Sequence, residues 1–152
     1  MSTSLGAASH IASTVNNLKS RYYKYLEQNF LFFGGLPVLI GLKYFDRLRV
    51  LRLFGQEIAS LKPLNEVSGT LEELWVCEGA LQDIGGVEVC KKLHQLHLYD
   101  CKIENGDPIG KLTALDTLDI SGNCLTSFSF INNLQFLSIL RAGGAQFSDT
   151  GR

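Results

Sequence analysis

The chain has 152 residues, of which 45% are apolar and 19% charged, a size and composition that fit one domain with a continuous core. Fourteen basic and fifteen acidic residues leave a net charge of -1, which argues against broad electrostatic binding to nucleic acid or to an anionic membrane. The four cysteines form neither a Cys-x-x-Cys pair nor a His/Cys ligand cluster. We therefore expect reduced thiols in an intracellular protein.

Residues 1–25 are predicted to comprise a disordered start and an N-terminal cap helix. From Ser9 onward, apolar and tyrosine side chains recur at spacings of four and three, which places them on one stripe of a helix over roughly residues 9–26. Such a helix would cover the apolar flank that the first unit of a repeat array exposes. Two alternatives stay open: a membrane-surface helix, and an organellar transit peptide, because no acidic residue precedes Glu27.

Residues 30–42 form an uncharged, largely apolar run of thirteen residues. A membrane-spanning helix needs about 20 residues, so the run is too short to cross a bilayer, although it has the length of the apolar region of a signal peptide. Its leucines are in phase with the sequence that follows, since Leu39 lies 22 residues before Leu61. We therefore predict a degenerate first repeat over residues 26–47, with its strand near Phe30 to Phe32.

An apolar pattern with a period of 22 residues runs through the rest of the chain. Aliphatic residues recur at matching positions: Leu71, Leu74 and Val76, then Leu93, Leu96 and Leu98, then Leu115, Leu118 and Ile120. A period this short is typical of a solenoid. We divide the repeat domain, residues 26–152, into about five repeats and a partial sixth. After the first repeat the others span 48–70, 71–92, 93–114 and 115–136, and the sixth begins at Leu137. The second is one residue longer, and we place the extra residue near Ser68, Gly69 and Thr70.

Each repeat is predicted to contribute a short strand whose leucines point inward, a turn, and a return leg to the next strand. Apolar residues at every third position of the return leg fit a 3₁₀ helix. Repeat five carries the pattern LxxLxLxxNxL, with Asn123 at the ninth position. The other ninth positions are Gln56, Gly79, Cys101 and Ala145. Gly106 occupies an apolar position and Pro108 follows it, which predicts an irregular return leg in repeat four.

The C-terminal end of the array is predicted to be an open edge. The last strand, near Ile139 to Arg141, would present unpaired amides and carbonyls, and the segment after it is short and polar. The periodicity is still running where the sequence stops. We therefore expect a C-terminally truncated array, with self-association through this edge.

The 22-residue period and the segment LEELWVCEGALQDIGGVEVCKKLHQLHLYDCKI resemble the short leucine-rich-repeat subfamily typified by protein phosphatase 1 regulatory subunit 7 and related ciliary and spliceosomal proteins. In that family the consensus continues after the ninth position as xIxxIxxLxxLxxL, which Leu81, Ile84, Val87 and Cys90 follow here. The resemblance covers roughly residues 30–147. It implies an α/β repeat fold, a solenoid with a parallel concave sheet and a convex side of 3₁₀ or short helical segments. It also implies a protein-interaction scaffold, and cysteine at the ninth position resembles a substitute known in this family.

The residues between the inward-facing leucines are the candidate binding surface, because they project from the concave strands. The fifth positions read Phe30, Arg52, Trp75, His97, Asp119 and Arg141, and the seventh read Phe32, Phe54, Cys77, Tyr99, Ser121 and Gly143. Concentrated aromatic rings and arginine are typical of interface hot spots. The predicted partner-binding residues are Arg52, Phe54, Glu73, Trp75, His97, Tyr99, Asp119 and Arg141. Phe30 and Phe32 could instead pack under the cap helix.

The pair of His97 and Asp119 allows two interpretations. If the side chains touch, the carboxylate would favour a charged imidazole and binding would respond to mild acid. Otherwise the two form an exposed pair that contributes under about 1 kcal/mol.

No motif for catalysis, a cofactor or a metal ion is found in the sequence. His94 and His97 are three residues apart on a strand, so they face opposite sides. We therefore expect no enzyme, but a non-catalytic scaffold that binds a protein partner on its concave face, with a phosphatase, cytoskeletal or ciliary component as candidates. One alternative is a truncated structural product of a larger repeat protein, and a weaker one is a nucleic-acid-associated adaptor. The expected location is cytoplasmic, with nuclear and ciliary locations as alternatives, and membrane association is not expected.

Overall fold

The computed structural model describes residues 30–34, 39, 41–55 and 57–144. For residues 30–34 it describes the backbone alone. The predicted cap helix over residues 9–26 lies outside these ranges, as do Leu36, Gln56 and the segment 145–152. Within the described ranges, no helix is long and apolar enough to cross a membrane.

Six parallel strands form one sheet in the order in which they occur in the chain. The strands are β1 (Phe30–Gly34), β2 (Val50–Phe54), β3 (Glu73–Cys77), β4 (Gln95–His97), β5 (Thr117–Asp119) and β6 (Ile139–Arg141). Each connection contains a 3₁₀ helix: η1 (Leu42–Tyr44), η2 (Lys62–Glu66), η3 (Val87–Val89), η4 (Asp107–Lys111) and η5 (Ser129–Asn133). This architecture confirms the predicted solenoid, with a parallel sheet on one side and 3₁₀ return legs on the other.

The leucines of the strands form the core on one face of the sheet. Leu51, Leu74, Leu96 and Leu118 are register partners on adjacent strands, and each is 0% exposed. Their neighbours in sequence point to the other face, because successive side chains of a strand alternate. Burying one leucine contributes about 1.5–3 kcal/mol, so this row alone favours the observed register strongly.

The return legs bury every third residue, as the sequence predicts. In the second leg Ile58, Leu61, Leu64 and Val67 are buried, and the backbone N–H of Leu64 donates to the carbonyl of Leu61 at 2.9 Å. A 3₁₀ helix has three residues per turn, so side chains three apart lie on one face. The legs therefore close the core opposite the sheet.

The extra residue of repeat two lies where the sequence indicates. The N–H of Leu71 donates to the carbonyl of Val67, four residues earlier, at 3.0 Å. In the next repeat the equivalent bond joins Leu93 to Cys90, three residues earlier. The wider turn accommodates the added residue within 68–70.

The predicted register of the first strand is wrong by two residues. Phe32 pairs with Arg52 and Phe30 pairs with Val50, whereas the uniform period assigned Phe30 to the row of Arg52 and Phe32 to the row of Phe54. The connection from Gly34 to Leu39 is two residues shorter than the equivalent connection from Phe54 to Leu61. The return legs therefore keep the 22-residue spacing while β1 does not.

Asn123 and Cys101 satisfy backbone groups of the turns, as expected for the ninth position. The Asn123 side-chain amide donates to the carbonyls of Leu98 at 2.5 Å and Ile120 at 3.0 Å, and its oxygen accepts from the N–H of Ile103 at 3.1 Å. The Cys101 thiol lies 3.3 Å from the carbonyl of Val76, the counterpart of Leu98 one repeat earlier. A thiol is a weak donor, so cysteine supplies only part of what asparagine does.

The return leg of repeat four is regular, contrary to the prediction from Gly106 and Pro108. Asp107–Lys111 form the 3₁₀ helix η4. The space that a side chain at Gly106 would occupy holds the ring of Phe130, whose Cε1 would lie 2.1 Å from an added Cβ. Phe130 is 4% exposed, so the neighbouring repeat fills the apolar position that glycine leaves empty.

Strand β6 lies at the end of the sheet, as predicted. Leu140 is 45% exposed, although its register partner Leu118 is 0% exposed. Ile139 and Phe136 beside it are 44% and 68% exposed. Among the described residues, no strand pairs with the outer side of β6.

Candidate functional site

Five candidate residues form one row across the face of the sheet opposite the core. Arg52, Trp75, His97, Asp119 and Arg141 are register partners on β2 to β6. Adjacent strands lie about 4.8 Å apart, so neighbouring side chains of the row are within contact distance. In a solenoid of this type the strand side is the concave side.

The Glu73 carboxylate organises the N-terminal half of this row. Its Oε1 accepts from Arg52 Nη2 at 2.5 Å, from Arg52 Nε at 3.0 Å and from the indole Nε1 of Trp75 at 2.6 Å. The Glu73 side chain is 18% exposed, so these charge-assisted bonds are partly shielded from water. One carboxylate thereby fixes the orientation of both a guanidinium and an indole.

Three rings lie side by side on β2, β3 and β4, and we call Phe54, Trp75 and His97 the aromatic strip. Trp75 and His97 are stacked, with ring centroids 3.7 Å apart and an interplanar angle of 17°. Phe54 and Trp75 are tilted, with centroids 6.2 Å apart. The guanidinium carbon of Arg52 lies over the Trp75 ring, 5.0 Å from its centroid. Trp75 is therefore held by contacts with residues on both neighbouring strands.

His97 is buried rather than exposed. It is 5% exposed, and its Nε2 has no hydrogen-bond partner. Burial lowers the pKa of His97 more than the carboxylates of Asp119 and Glu73 raise it. Asp119 does favour the charged imidazole, as one interpretation expected, but its effect is smaller than that of burial. The alternative of an exposed pair is wrong, because His97 is buried. Asp119 instead accepts a hydrogen bond from the backbone N–H of Ser121 at 3.1 Å.

Cys77 does not belong to the concave surface, although its seventh position predicts that it should. It is 0% exposed, and its Sγ lies 3.7 Å from the carbonyl of His97. Cys77 is still part of β3, paired with Phe54, and is not a member of the hydrophobic core cluster. Burial raises the pKa of the Cys77 thiol to about 12, so it stays protonated and unreactive at neutral pH.

Tyr99, the seventh position of the next repeat, is half-buried beside Cys77. Burial and the neighbouring thiol raise the pKa of its phenol to about 12. Its hydroxyl therefore remains a neutral hydrogen-bonding group at the edge of the aromatic strip.

The C-terminal half of the row is more open than the N-terminal half. Asp119 is half-buried and Arg141 is exposed. The ion pairs between described residues are Arg52 with Glu73 and Arg49 with Glu72. The structure thus brings Arg52, Phe54, Glu73, Trp75 and His97 into direct contact, whereas Asp119 and Arg141 extend the row without joining that cluster.

A turn position shortly after each of β2 to β6 was missed by the sequence analysis. Gly55, Glu78, Asp100, Gly122 and Gly144 occupy equivalent positions and all have positive φ, between 51 and 67. The sequence did contain a signal for this backbone conformation. Three of the five repeats have glycine at this position, and glycine tolerates a left-handed backbone. At the other two, Glu78 and Asp100 place carboxylates beside Tyr99.

A second concave feature lies on the return-leg side, between repeats three and four. It is lined by Gln82, Asp83, Glu104, Asn105 and Pro108. Two of these side chains already accept backbone hydrogen bonds: Asp83 from Gly85 at 2.8 Å and Asn105 from Asp107 at 2.9 Å. In the part of the chain that the structure describes, no group of His, Cys, Asp and Glu is arranged to hold a metal ion.

Comparison with known proteins supports the repeat architecture. A profile of the family described as "Leucine Rich repeats (2 copies)" matches residues 91–133. Human leucine-rich repeat-containing protein 56 is 28% identical over 92 residues, which cover 60% of this chain and 17% of that protein. The matched segment is thus less than one fifth of the relative's length.

Two solved structures show the same fold. Internalin C2 from Listeria monocytogenes aligns with a TM-score of 0.61 and 26% identity, over 65% of this chain and 43% of the internalin chain. An internalin (inlF) from the same bacterium aligns with a TM-score of 0.51 and 20% identity, over 71% and 38% of the two chains. The chain is therefore a leucine-rich-repeat solenoid in fold, and repeats of this kind typically provide extended binding surfaces.

Proposed function

We propose that this protein is a non-catalytic interaction module whose concave aromatic strip binds a protein partner. The observation that carries the proposal is the way Trp75 is held. Its N–H donates to Glu73, its ring stacks on His97, and Arg52 lies over the same ring. Large aromatic side chains and arginine dominate the binding energy of interfaces.

The fixed position of Trp75 favours binding for an entropic reason. Ordering a flexible side chain on association costs roughly 0.5–1.5 kcal/mol. One carboxylate already orients the indole and the Arg52 guanidinium in the free protein. Less side-chain entropy is therefore lost when a partner binds. The half-buried Trp75 can then meet a partner without rearrangement of the sheet.

Affinity capture followed by mass spectrometry, comparing Trp75→Ala with the native chain, tests this function. We expect Trp75→Ala to lose about 2 kcal/mol or more of binding, a reduction of roughly thirtyfold, as hot-spot substitutions do. The matched control is Val89→Ala in η3, which removes an apolar side chain that is 41% exposed on the return-leg side. Far-UV circular dichroism would establish that both variants fold. Equal capture by native protein and Trp75→Ala would refute the proposal.

The partner class follows from the resemblance to short leucine-rich repeats rather than from the geometry. That resemblance favours a phosphatase, cytoskeletal or ciliary component, and the identity of the partner remains part of the proposal. Intracellular action is likewise proposed, because the four thiols are free and three of them are buried where they pack as small apolar groups.

A second candidate function is assembly through the β6 edge. It is favoured by Leu140, an in-facing leucine that is 45% exposed where its equivalents on β2 to β5 are fully buried. An exposed edge strand with apolar side chains is a template for pairing with another chain. Sedimentation over a range of concentrations should show association that Leu140→Lys reduces and that Val89→Lys leaves unchanged. A native protein that is monomeric throughout would exclude this assembly.

A further inference from the structure

His97 is the buried side chain whose polar atom the surrounding protein leaves unsatisfied. Among the described residues its Nε2 is the buried side-chain nitrogen or oxygen without a hydrogen-bond partner. The residue is 5% exposed, so water does not compensate directly for the missing bond. Packing against Trp75, rather than a hydrogen bond at Nε2, holds the imidazole in place.

Protonation of His97 would add a second cation to the Trp75 ring and leave its Nε2–H without an acceptor. The rings are 3.7 Å apart and nearly parallel. The same indole already has the Arg52 guanidinium 5.0 Å from its centroid. A second cation on this ring would be repelled by Arg52, and both imidazole nitrogens would then be donors, so Nε2 would present a charged N–H with no acceptor.

Charged groups on both sides of β4 act on His97. Asp119 on β5 and Glu73 on β3 favour the protonated form, whereas Arg141 on β6 and Arg52 on β2 oppose it. Glu73 already accepts two hydrogen bonds from Arg52, which weakens its attraction for a second cation. Burial has the largest effect and lowers the pKa of His97, so the side chain is neutral at pH 7.

We propose that His97 makes the aromatic strip responsive to protons: when the imidazole takes up a proton, the Trp75–His97 stack opens and Trp75 becomes more exposed. The imidazolium then turns towards water or Asp119, where its N–H groups find acceptors. As regulation of partner binding this rests on the proposed function, and it means that the partner is released in acid. The apparent dissociation constant would rise about tenfold for each pH unit below the His97 pKa, as expected for a single linked proton.

The direction in which pH changes the stability of the fold follows from the lowered pKa of His97. A histidine whose folded pKa is lowered takes up its proton more readily in the unfolded chain. Its contribution to stability is therefore complete above the ordinary pKa of 6.5, and it declines as the pH falls from there towards the folded value. Acid both opens the strip and weakens the fold around it.

The test uses the whole chain without a partner, because Trp75 is its one tryptophan. The pH would be lowered from about 7.5 to 4.5 while NMR follows the His97 Cε1–H and fluorescence follows Trp75 emission and its quenching by acrylamide. We expect a single transition in all three signals, with a midpoint below the ordinary 6.5 and quenching that increases in acid. A midpoint at or above that value, or tryptophan signals that do not follow His97, would overturn the proposal.

Three variants separate this switch from other effects of acid. His97→Gln should abolish the fluorescence transition, and His94→Gln, which changes an exposed histidine next to the same strand, should retain it. Asp119→Asn should shift the midpoint to a lower pH, because it removes a carboxylate that favours the proton. Loss of the far-UV circular dichroism signal over the same pH range would show that the transition is unfolding of the chain, and it would overturn the proposed switch. Since no partner is involved, failure of the Trp75→Ala capture experiment leaves this result unaffected.

Discussion

Glu73 shows how a single side chain determines the presentation of the aromatic strip. It stands one residue before a core leucine, so its direction is set by the pleat of β3. From there its Oε1 reaches both Arg52 on the adjacent strand and Trp75 two residues on. The strip is thus oriented by local strand geometry together with one charge-assisted network, and not by packing of the rings alone.

Buried thiols give the protein a predictable response to alkali. Burial raises the pKa of Cys77 to about 12 and that of Cys90 to about 11, from an ordinary 9.0. The folded chain therefore holds these protons more tightly than the unfolded chain does. Their contribution to stability is complete below pH 9 and is lost as the pH rises through 11 to 12.

Thermal melts at pH 7.5 and pH 10 measure this effect. The native protein should lose stability at pH 10, and Cys77→Ala should lose less, because one group with a raised pKa has been removed. Cys124→Ser is the matched control, since Cys124 is exposed, and it should behave like the native chain. Equal losses in Cys77→Ala and native protein would show that burial of this thiol is not the cause.

The contact between the return legs of repeats four and five depends on a complementary pair. Phe130 fills the space above Gly106, and a Cβ there would lie 2.1 Å from its ring. Gly106→Ala should therefore destabilise the fold by about 1–3 kcal/mol through overpacking. The cost should be smaller in a Phe130→Leu background, because the shorter side chain leaves room for the methyl group.

Chemical denaturation of the four proteins in this cycle would measure the coupling. Gly69→Ala is the control, because no atom lies within 4 Å of an added Cβ at that position; it should change stability by less than about 0.5 kcal/mol. An equal cost for Gly106→Ala in both backgrounds would contradict the proposed contact.

The period of the sequence was sufficient to predict the strands, the return legs and the position of the extra residue in repeat two. It failed where one repeat departs from its neighbours. The connection after β1 is two residues shorter than its equivalents, which moves Phe32 into the row of Arg52. A pattern based on a constant spacing does not detect this shortening. Phe130 was missed because it lies out of phase and packs sideways into the preceding repeat.

The sequence predicted which residues of the candidate site share a face, but not which of them are buried. Alternation placed Arg52, Trp75 and His97 on one face, and the register confirms that they are neighbours. Alternation did not indicate that His97 and Cys77 would be buried. Both outcomes depend on contacts across strands, which a single-strand pattern does not contain.

The described part of the solenoid presents two candidate surfaces of different character. At β2 to β4 the concave face is an ordered cluster of rings and an ion pair. At β6 the sheet ends with exposed leucine and isoleucine. Because each repeat contacts only its neighbours, the two surfaces can act independently, and changes at Leu140 should leave the aromatic strip intact.

Site-specific photo-crosslinking tests the concave-face proposal most directly. A photoreactive residue would replace Gln95, which is exposed at the start of β4 on the concave face, or Val89, which is exposed on the return-leg side. Neither side chain belongs to the cluster around Trp75, so both variants should fold and bind. We predict that the captured partner crosslinks to position 95 and not to position 89. Crosslinking at position 89 alone would contradict the proposal that the concave face binds the partner.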